Sequence, residues 1–148
     1  MKSENSEIKI RYAKVSDVPR IAVLSGELGY PTTVPEMRQR FTRIKPASAH
    51  AVFVAVLHNI VIGWIHVSIT PLLEAPRRAE VNGLIVADGR RSSGAGAKLL
   101  NAAEVWARKK KCTGMSVRSN VLRERAHAFY ERRGYEHIKT QKAFRKTL

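Results

Sequence analysis

Residues 86–100 read VADGRRSSGAGAKLL, a passage rich in arginine and glycine. An apolar, β-branched run ends at Val86. Arg90, Arg91, Ser92 and Ser93 follow, then Gly94 and Gly96 around one alanine, and a helical pattern begins near Lys98. A glycine-rich junction from strand to helix presents backbone N–H groups to an anion. Glycines let a ligand come close to the backbone, and the helix dipole adds partial positive charge. Arg90, Arg91 and Lys98 add full charges, so the junction suits a diphosphate. Two nucleotide motifs are excluded. No Gly-Lys-Ser/Thr closes the loop, and a dinucleotide fingerprint needs three glycines in the first βα unit with an acidic residue about 20 positions on.

Outward from this junction the chain alternates between strand and helix patterns. IKIRYA (8–13) reads as a first strand. Ser16 or Asp17 can cap a helix, with Pro19 in its first turn. Ile21, Leu24 and Leu28 share one face of it, and it should stop near Gly26 to Gly29. A loop and a second short helix follow, with Val34, Met37, Phe41 and Ile44 on one side. AVFVAVL and IVIGWIHVSIT flank the turn signal His58-Asn59 and predict a hairpin. RAEVNGLIV (78–86) is the fourth strand, 94–111 a helix, CTGMSVRSN a fifth strand and RERAHAFYERR a short helix. GYEHIKTQKAFRKTL is expected to close the fold with one or two strands. The order predicts an α/β fold: a mixed, mostly antiparallel central sheet flanked by helices. The hairpin excludes a purely parallel sheet.

The 148 residues suit one domain, 1–148, around one core. No apolar stretch approaches the roughly 20 residues of a membrane span, and the N-terminal residues lack a signal-peptide core. A single cysteine, Cys112, precludes an internal disulfide and fits a reducing, cytoplasmic setting. The net charge of +15 favours anionic partners. No zinc-ligand spacing and no RNA-binding aromatic motif accompanies it, so no metal is expected and nucleic acid stays open as a partner without a motif.

Arg91-Ser92-Ser93-Gly94-Ala95-Gly96 resembles the Arg/Gln-x-x-Gly-x-Gly/Ala signature of the GNAT superfamily, the acyl-CoA-dependent N-acyltransferases. GLIV before it resembles the family's fourth strand, MSVRSN the fifth, and ERAHAFYERRGYE the helix and turn beyond it. IVIGWIHV resembles the third strand. The resemblance runs from about Ile8 to Leu148. It implies that Leu84, Ile85 and Val86 pair with the pantetheine arm of acetyl-CoA. It also implies that Arg91, Ser92, Ser93, Gly94, Ala95, Gly96 and Ala97 hold the diphosphate.

Acyl transfer to an amine needs a neutral nucleophile, a donor for the oxyanion and a proton for the leaving thiolate. The resemblance assigns the last role to Tyr130. A core aromatic on a helix face is the plain alternative. Glu80 and Asn82 stand near the position where many family members carry a glutamate base. Asn82 itself fills that position and cannot take a proton. Period-two alternation predicts Glu80, Asn82, Leu84 and Val86 on one face. Glu80 could act through water, bind the substrate ammonium or form a structural ion pair. The oxyanion donor would be a backbone N–H near Ile85. Asn120 resembles a family residue that hydrogen-bonds pantetheine, or it caps the next helix. His66 is a further base or acceptor-binding candidate. Tyr30, Thr32 and Glu36 are candidate acceptor contacts in the segment that shapes the acceptor site in this family.

The resemblance therefore predicts an N-acetyltransferase that uses acetyl-CoA on a primary amine of a small molecule or peptide, in a family where homodimers are common. With only 12 acidic residues, a polycationic acceptor is disfavoured over an amine with an anionic part of its own. A coenzyme A-binding sensor, a nucleic-acid-associated module and an RNA-directed acyltransferase are the alternatives.

Overall fold

A computed structural model describes residues 7–44 and 48–148. The chain divides into two compact units, Met1–Val117 and Arg118–Leu148. The first unit holds strands β1 (Lys9–Tyr12), β2 (His50–Leu57), β3 (Ile60–Ile69), β4 (Arg78–Val86) and β5 (Gly114–Val117). It also holds helices α1 (Val18–Glu27), α2 (Val34–Ile44) and α3 (Ala95–Lys109). The second unit contains α4 (Glu124–Arg132). No helix among the described residues is long and apolar enough to cross a membrane.

The strands lie in the order β1-β2-β3-β4-β5. The first three pairings are antiparallel and β4–β5 is parallel. The mixed, mostly antiparallel sheet is thus the one the sequence predicts. The β2–β3 turn forms at His58 and Asn59, both in left-handed conformation with φ of 51° and 64°. That matches a two-residue hairpin whose twist follows the strands. The parallel pair is joined through α3, the crossover such a pair requires.

Helices cover both faces of the sheet. Ile21 and Leu24 of α1 pack with Val54, Val61 and Ile85, and Met37 of α2 and Trp64 join this cluster. On the opposite face lies α3, whose Leu99, Leu100, Ala103, Trp106 and Ala107 are buried. A Cβ on Gly63 would come 3.2 Å from Leu99 Cδ1 and 2.8 Å from the Ile85 carbonyl oxygen. Glycine at 63 therefore sets how closely α3 and β4 approach β3.

Three expectations change. The β3–β4 register slips by one residue between His66 and Val67, because Gly83 opposes His66 while Val81 opposes Val67. Asn82 is the inserted residue of a β-bulge. An inserted residue reverses the phase of alternation beyond it. Glu80 and Asn82 stay on the α1 face with Ser68, while Leu84 and Val86 turn to the α3 face; they do not share one face. Second, residues 135–148 form neither strand nor helix. Their apolar residues are isolated among cations, and Ile138 and Phe144 are 73% and 90% exposed, so no apolar face exists to drive pairing. Third, Asp17 does not cap α1 through its side chain. Its carboxylate takes the Lys14 N–H at 2.7 Å and two guanidinium bonds from Arg11 at 2.7 and 3.0 Å.

Candidate active site

The glycine-rich junction forms a chain of tight turns. Arg90 N–H donates to the Ala87 carbonyl and Ser93 N–H to the Arg90 carbonyl. Gly89, Ser92 and Gly94 have φ of 79°, 70° and 93°. Gly94 is the N-cap of α3, in a conformation that favours glycine. The helix's own bonds begin with Lys98 N–H to the Gly94 carbonyl at 3.1 Å. The N–H groups of Ala95, Gly96 and Ala97 therefore precede the first intrahelical bond. Ala95 N–H has only a long contact, 3.4 Å, to Ser93 Oγ. Three successive N–H groups at the positive end of a 15-residue helix make an anion cradle.

The charges around the cradle differ from expectation. Arg91 is ion-paired with Asp88 at 3.1 Å and so braces the turn. Lys98 Nζ donates to the carbonyl of Ile8 at 3.3 Å, away from the junction.

Beside it, β4 offers a half-paired edge. β5 pairs with β4 only from Arg78 to Val81. No described strand pairs with the following residues on that side, while β3 continues along the other to Val86. Ala87 N–H donates to the Ile62 carbonyl at 2.7 Å, so alternation turns Ile85 toward β3 as well. Leu84 and Val86 carry their N–H and C=O groups toward the open side. The expected donor near Ile85 resolves to these two neighbours. Ile85 itself bonds toward β3, and its side chain is buried in the core.

The α1 face of the sheet carries a polar group beyond its apolar cluster. Ser68 stands in register with His50 on β2 and Glu80 on β4. It accepts a bond from Asn82 Nδ2 at 2.7 Å. His66, two residues away on β3, places Nε2 3.0 Å from Nδ1 of His50, and the two rings stack with centroids 5.2 Å apart. Burial, with the His50 ring adding to it, lowers His66 to a pKa of about 4. The Trp64 ring fills the space over Gly83, and its indole N–H is buried without a hydrogen-bond partner among the described residues. His50 and Ser68 were not singled out in the sequence. His50 is 16 positions from His66, and only the hairpin register brings them together.

Other candidates have structural duties. Glu36 and Thr33 form a reciprocal capping box at the start of α2, at 3.0 and 3.2 Å, and Glu36 also faces Arg40 at 3.8 Å. Thr32 Oγ1 accepts from Arg40 at 3.2 Å. Tyr30 is 62% exposed, and its carbonyl accepts the Ser25 hydroxyl at 3.0 Å.

In the second unit, Asn120 does not cap α4, whose N-cap is Arg123. Its Oδ1 accepts the Leu122 N–H at 2.9 Å, closing a local turn before the helix. Tyr130 lies on α4 with edge contacts to Phe129 and Tyr135. Burial raises the Tyr130 pKa above that of an ordinary phenol, only partly offset by the charge of Arg123. The hydroxyl therefore keeps its proton at neutral pH.

A strand ending in an anion cradle beside a half-paired strand edge is what acyl-CoA transferases need, and the chain's family agrees. Residues 21–135 match the acetyltransferase (GNAT) family model, and the chain belongs to that family of transferase enzymes. A comparison with curated protein sequences finds no match. Among solved structures, the chain is similar to a transcriptional regulator from Bacillus halodurans C-125, with TM-score 0.81 and 23% identity over 93% of this chain and 99% of that one. It is similar to a glucosamine-6-phosphate N-acetyltransferase from Arabidopsis thaliana, with TM-score 0.80 and 19% identity over 93% and 97% of the two chains. It also resembles an aminoglycoside N-acetyltransferase in complex with coenzyme A, with TM-score 0.85, 19% identity and 95% of each chain covered.

Proposed function

We propose that residues 1–148 act as one acetyl-CoA-dependent N-acetyltransferase, moving the acetyl group to a primary amine by direct attack in a ternary complex. The observation that carries this reading is the pairing of two features in one unit. They are the cradle entered through left-handed Gly94 and the open backbone of Leu84 and Val86 where β5 has ended. Ser93, Gly94, Ala95, Gly96 and Ala97 would hold the diphosphate, with Arg91 and Ser92 shaping the turn. Leu84 and Val86 would pair with the pantetheine arm and supply the N–H that stabilises the oxyanion. Bound acetyl-CoA supplies the activated acetyl thioester.

Tyr130 is the acid in this reading, since burial keeps its hydroxyl protonated and able to protonate the departing thiolate. Asn120 is its neighbour in the cofactor site by resemblance. Glu80 attracts the substrate ammonium. Asn82 orients the amine or a water, but an amide cannot remove a proton. The acceptor lies toward Tyr30, Glu36 and His66.

The acceptor we favour is a small amine with an anionic part, such as an amino sugar phosphate. The net charge of +15 supports it, and one neighbour of the same fold is named for glucosamine 6-phosphate. The same charge, together with the fold shared with a transcriptional regulator, supports a second reading: a coenzyme A-binding sensor.

Release of free thiol from acetyl-CoA over a panel of amines, with glucosamine 6-phosphate and kanamycin included, tests the reading. Thiol release with intersecting double-reciprocal plots supports direct transfer. Binding of acetyl-CoA without turnover on any amine favours the sensor.

A further inference from the structure

The reaction must strip a proton from an ammonium whose pKa in water is near 10. Asn82 cannot take it. His66 alone is a poor base, because a ring that stays neutral down to about pH 4 holds an added proton weakly. Yet His66 is not alone. Its Nε2 meets Nδ1 of His50 at 3.0 Å, so a single proton lies between the two rings. One ring donates and the other accepts, and both cannot donate at once.

We propose that His66 and His50 form a two-histidine proton relay that deprotonates the acceptor amine. This deepens the acetyltransferase reading and rests on it. His66 Nδ1 accepts a proton from the amine while His66 Nε2–H passes its own proton to His50 Nδ1. The N–H bond of the ammonium breaks, an N–H bond forms on His50, and His66 ends neutral in its other tautomer. The amine's lone pair then attacks the thioester carbonyl. The C–N bond forms, the C–S bond breaks, and the coenzyme A thiolate takes the proton of the acid, a role that resemblance gives to Tyr130. The relay removes the obstacle that burial poses, since His66 never carries two protons. The charge comes to rest on His50, on the outer strand of the pair, and leaves to solvent.

The surroundings suit this. Glu80 is the carboxylate on the same face, in register with Ser68, and favours a positive charge there. Ser68 stands opposite His50 and is held by Asn82. Several charged side chains on the elements packed over this face have partners elsewhere. Arg20 donates to the Val61 carbonyl, Glu27 accepts from the Asp88 N–H, Arg11 pairs with Asp17, and Glu36 with Arg40. Sequence reading finds His66 but not His50, so the relay is visible only through the hairpin register.

Imidazole ¹⁵N–¹H correlation spectra of the full-length protein from pH 8 to pH 5 test the relay. The expected result is that His66 stays neutral and shifts from the Nε2–H to the Nδ1–H tautomer as the pair takes up its first proton. In His50→Gln the His66 tautomer should no longer change with pH. A His66 fixed as Nδ1–H at every pH, or one that charges itself, overturns the relay; this holds on the wild type even if the variant fails to fold. On any amine that turns over, His50→Gln should lower kcat about 100-fold or more with KM unchanged, and an unchanged kcat also overturns it. Addition of acetyl-CoA to the same samples separates the two ideas. A fixed tautomer with acetyl-CoA bound refutes the relay alone. Failure of the same samples to bind acetyl-CoA by titration calorimetry refutes the acetyltransferase reading, whatever the histidines do.

Discussion

Gly63 and Gly26 give a matched test of how β3, β4 and α3 are held. A Cβ on Gly63 would lie 2.8 Å from the Ile85 carbonyl oxygen, 3.2 Å from Leu99 Cδ1 and 3.4 Å from Val86 Cγ2. The nearest of these is backbone and cannot rotate away. Overpacking of this kind costs about 1–3 kcal/mol. A Cβ on Gly26, in α1, meets nothing within 4 Å. Alanine there should gain about 0.5–1 kcal/mol from helix propensity and a less flexible unfolded chain. Both Gly→Ala changes restrict the unfolded state alike, so the difference between them reports chiefly on the native contact. In a chain of this size, each kcal/mol moves Tm by about 2–4 °C. A difference of about 1–3 kcal/mol should place G63A roughly 2–12 °C below G26A in thermal unfolding followed by circular dichroism. Gly63 is in register with Val86, so G63A should also weaken acetyl-CoA binding while G26A leaves it unchanged. A G63A melting point at or above that of G26A would refute the close-approach argument.

Two further outcomes follow from the site. His66 is lowered from 6.5 to about 4 in the folded state, so between these values the unfolded chain binds more protons. Stability should then fall as pH drops from 6.5 to 4, by up to about 3 kcal/mol. His66→Gln should flatten that part of a urea-unfolding pH profile, and an unchanged slope would contradict the burial of a neutral ring. Tyr130→Phe should lower kcat about 100-fold, because the departing coenzyme A thiolate loses its proton donor, and leave acetyl-CoA affinity intact; an unchanged kcat would remove Tyr130 from the acid role.

Much of the fold is legible in the sequence because its signals are local. His58-Asn59 is a two-residue turn between β-rich runs, and it forms. The glycines at 89 and 94 mark backbone that turns left-handed, and the strand-to-helix junction follows. The parts that escape are non-local. An inserted residue leaves no mark on a period-two pattern, so the Asn82 bulge is invisible until β4 is laid against β3, and with it the separation of Glu80 from Leu84. Lys98 reads as a charge for the cradle because its distance to Ile8 is set by tertiary packing. Thr33 and Glu36, three residues apart, form a capping box, a local signature the sequence also holds. His50 has no local feature at all, and its partner is chosen by hairpin register.

Backbone amide NMR with added acetyl-CoA decides whether β4 and the start of α3 hold the cofactor. Shifts should concentrate at Leu84 and Val86 on β4 and at Ser93 to Ala97 where α3 begins, saturating with acetyl-CoA. A spectrum that does not respond, or shifts that fall on other surfaces while these amides stay still, would contradict that placement.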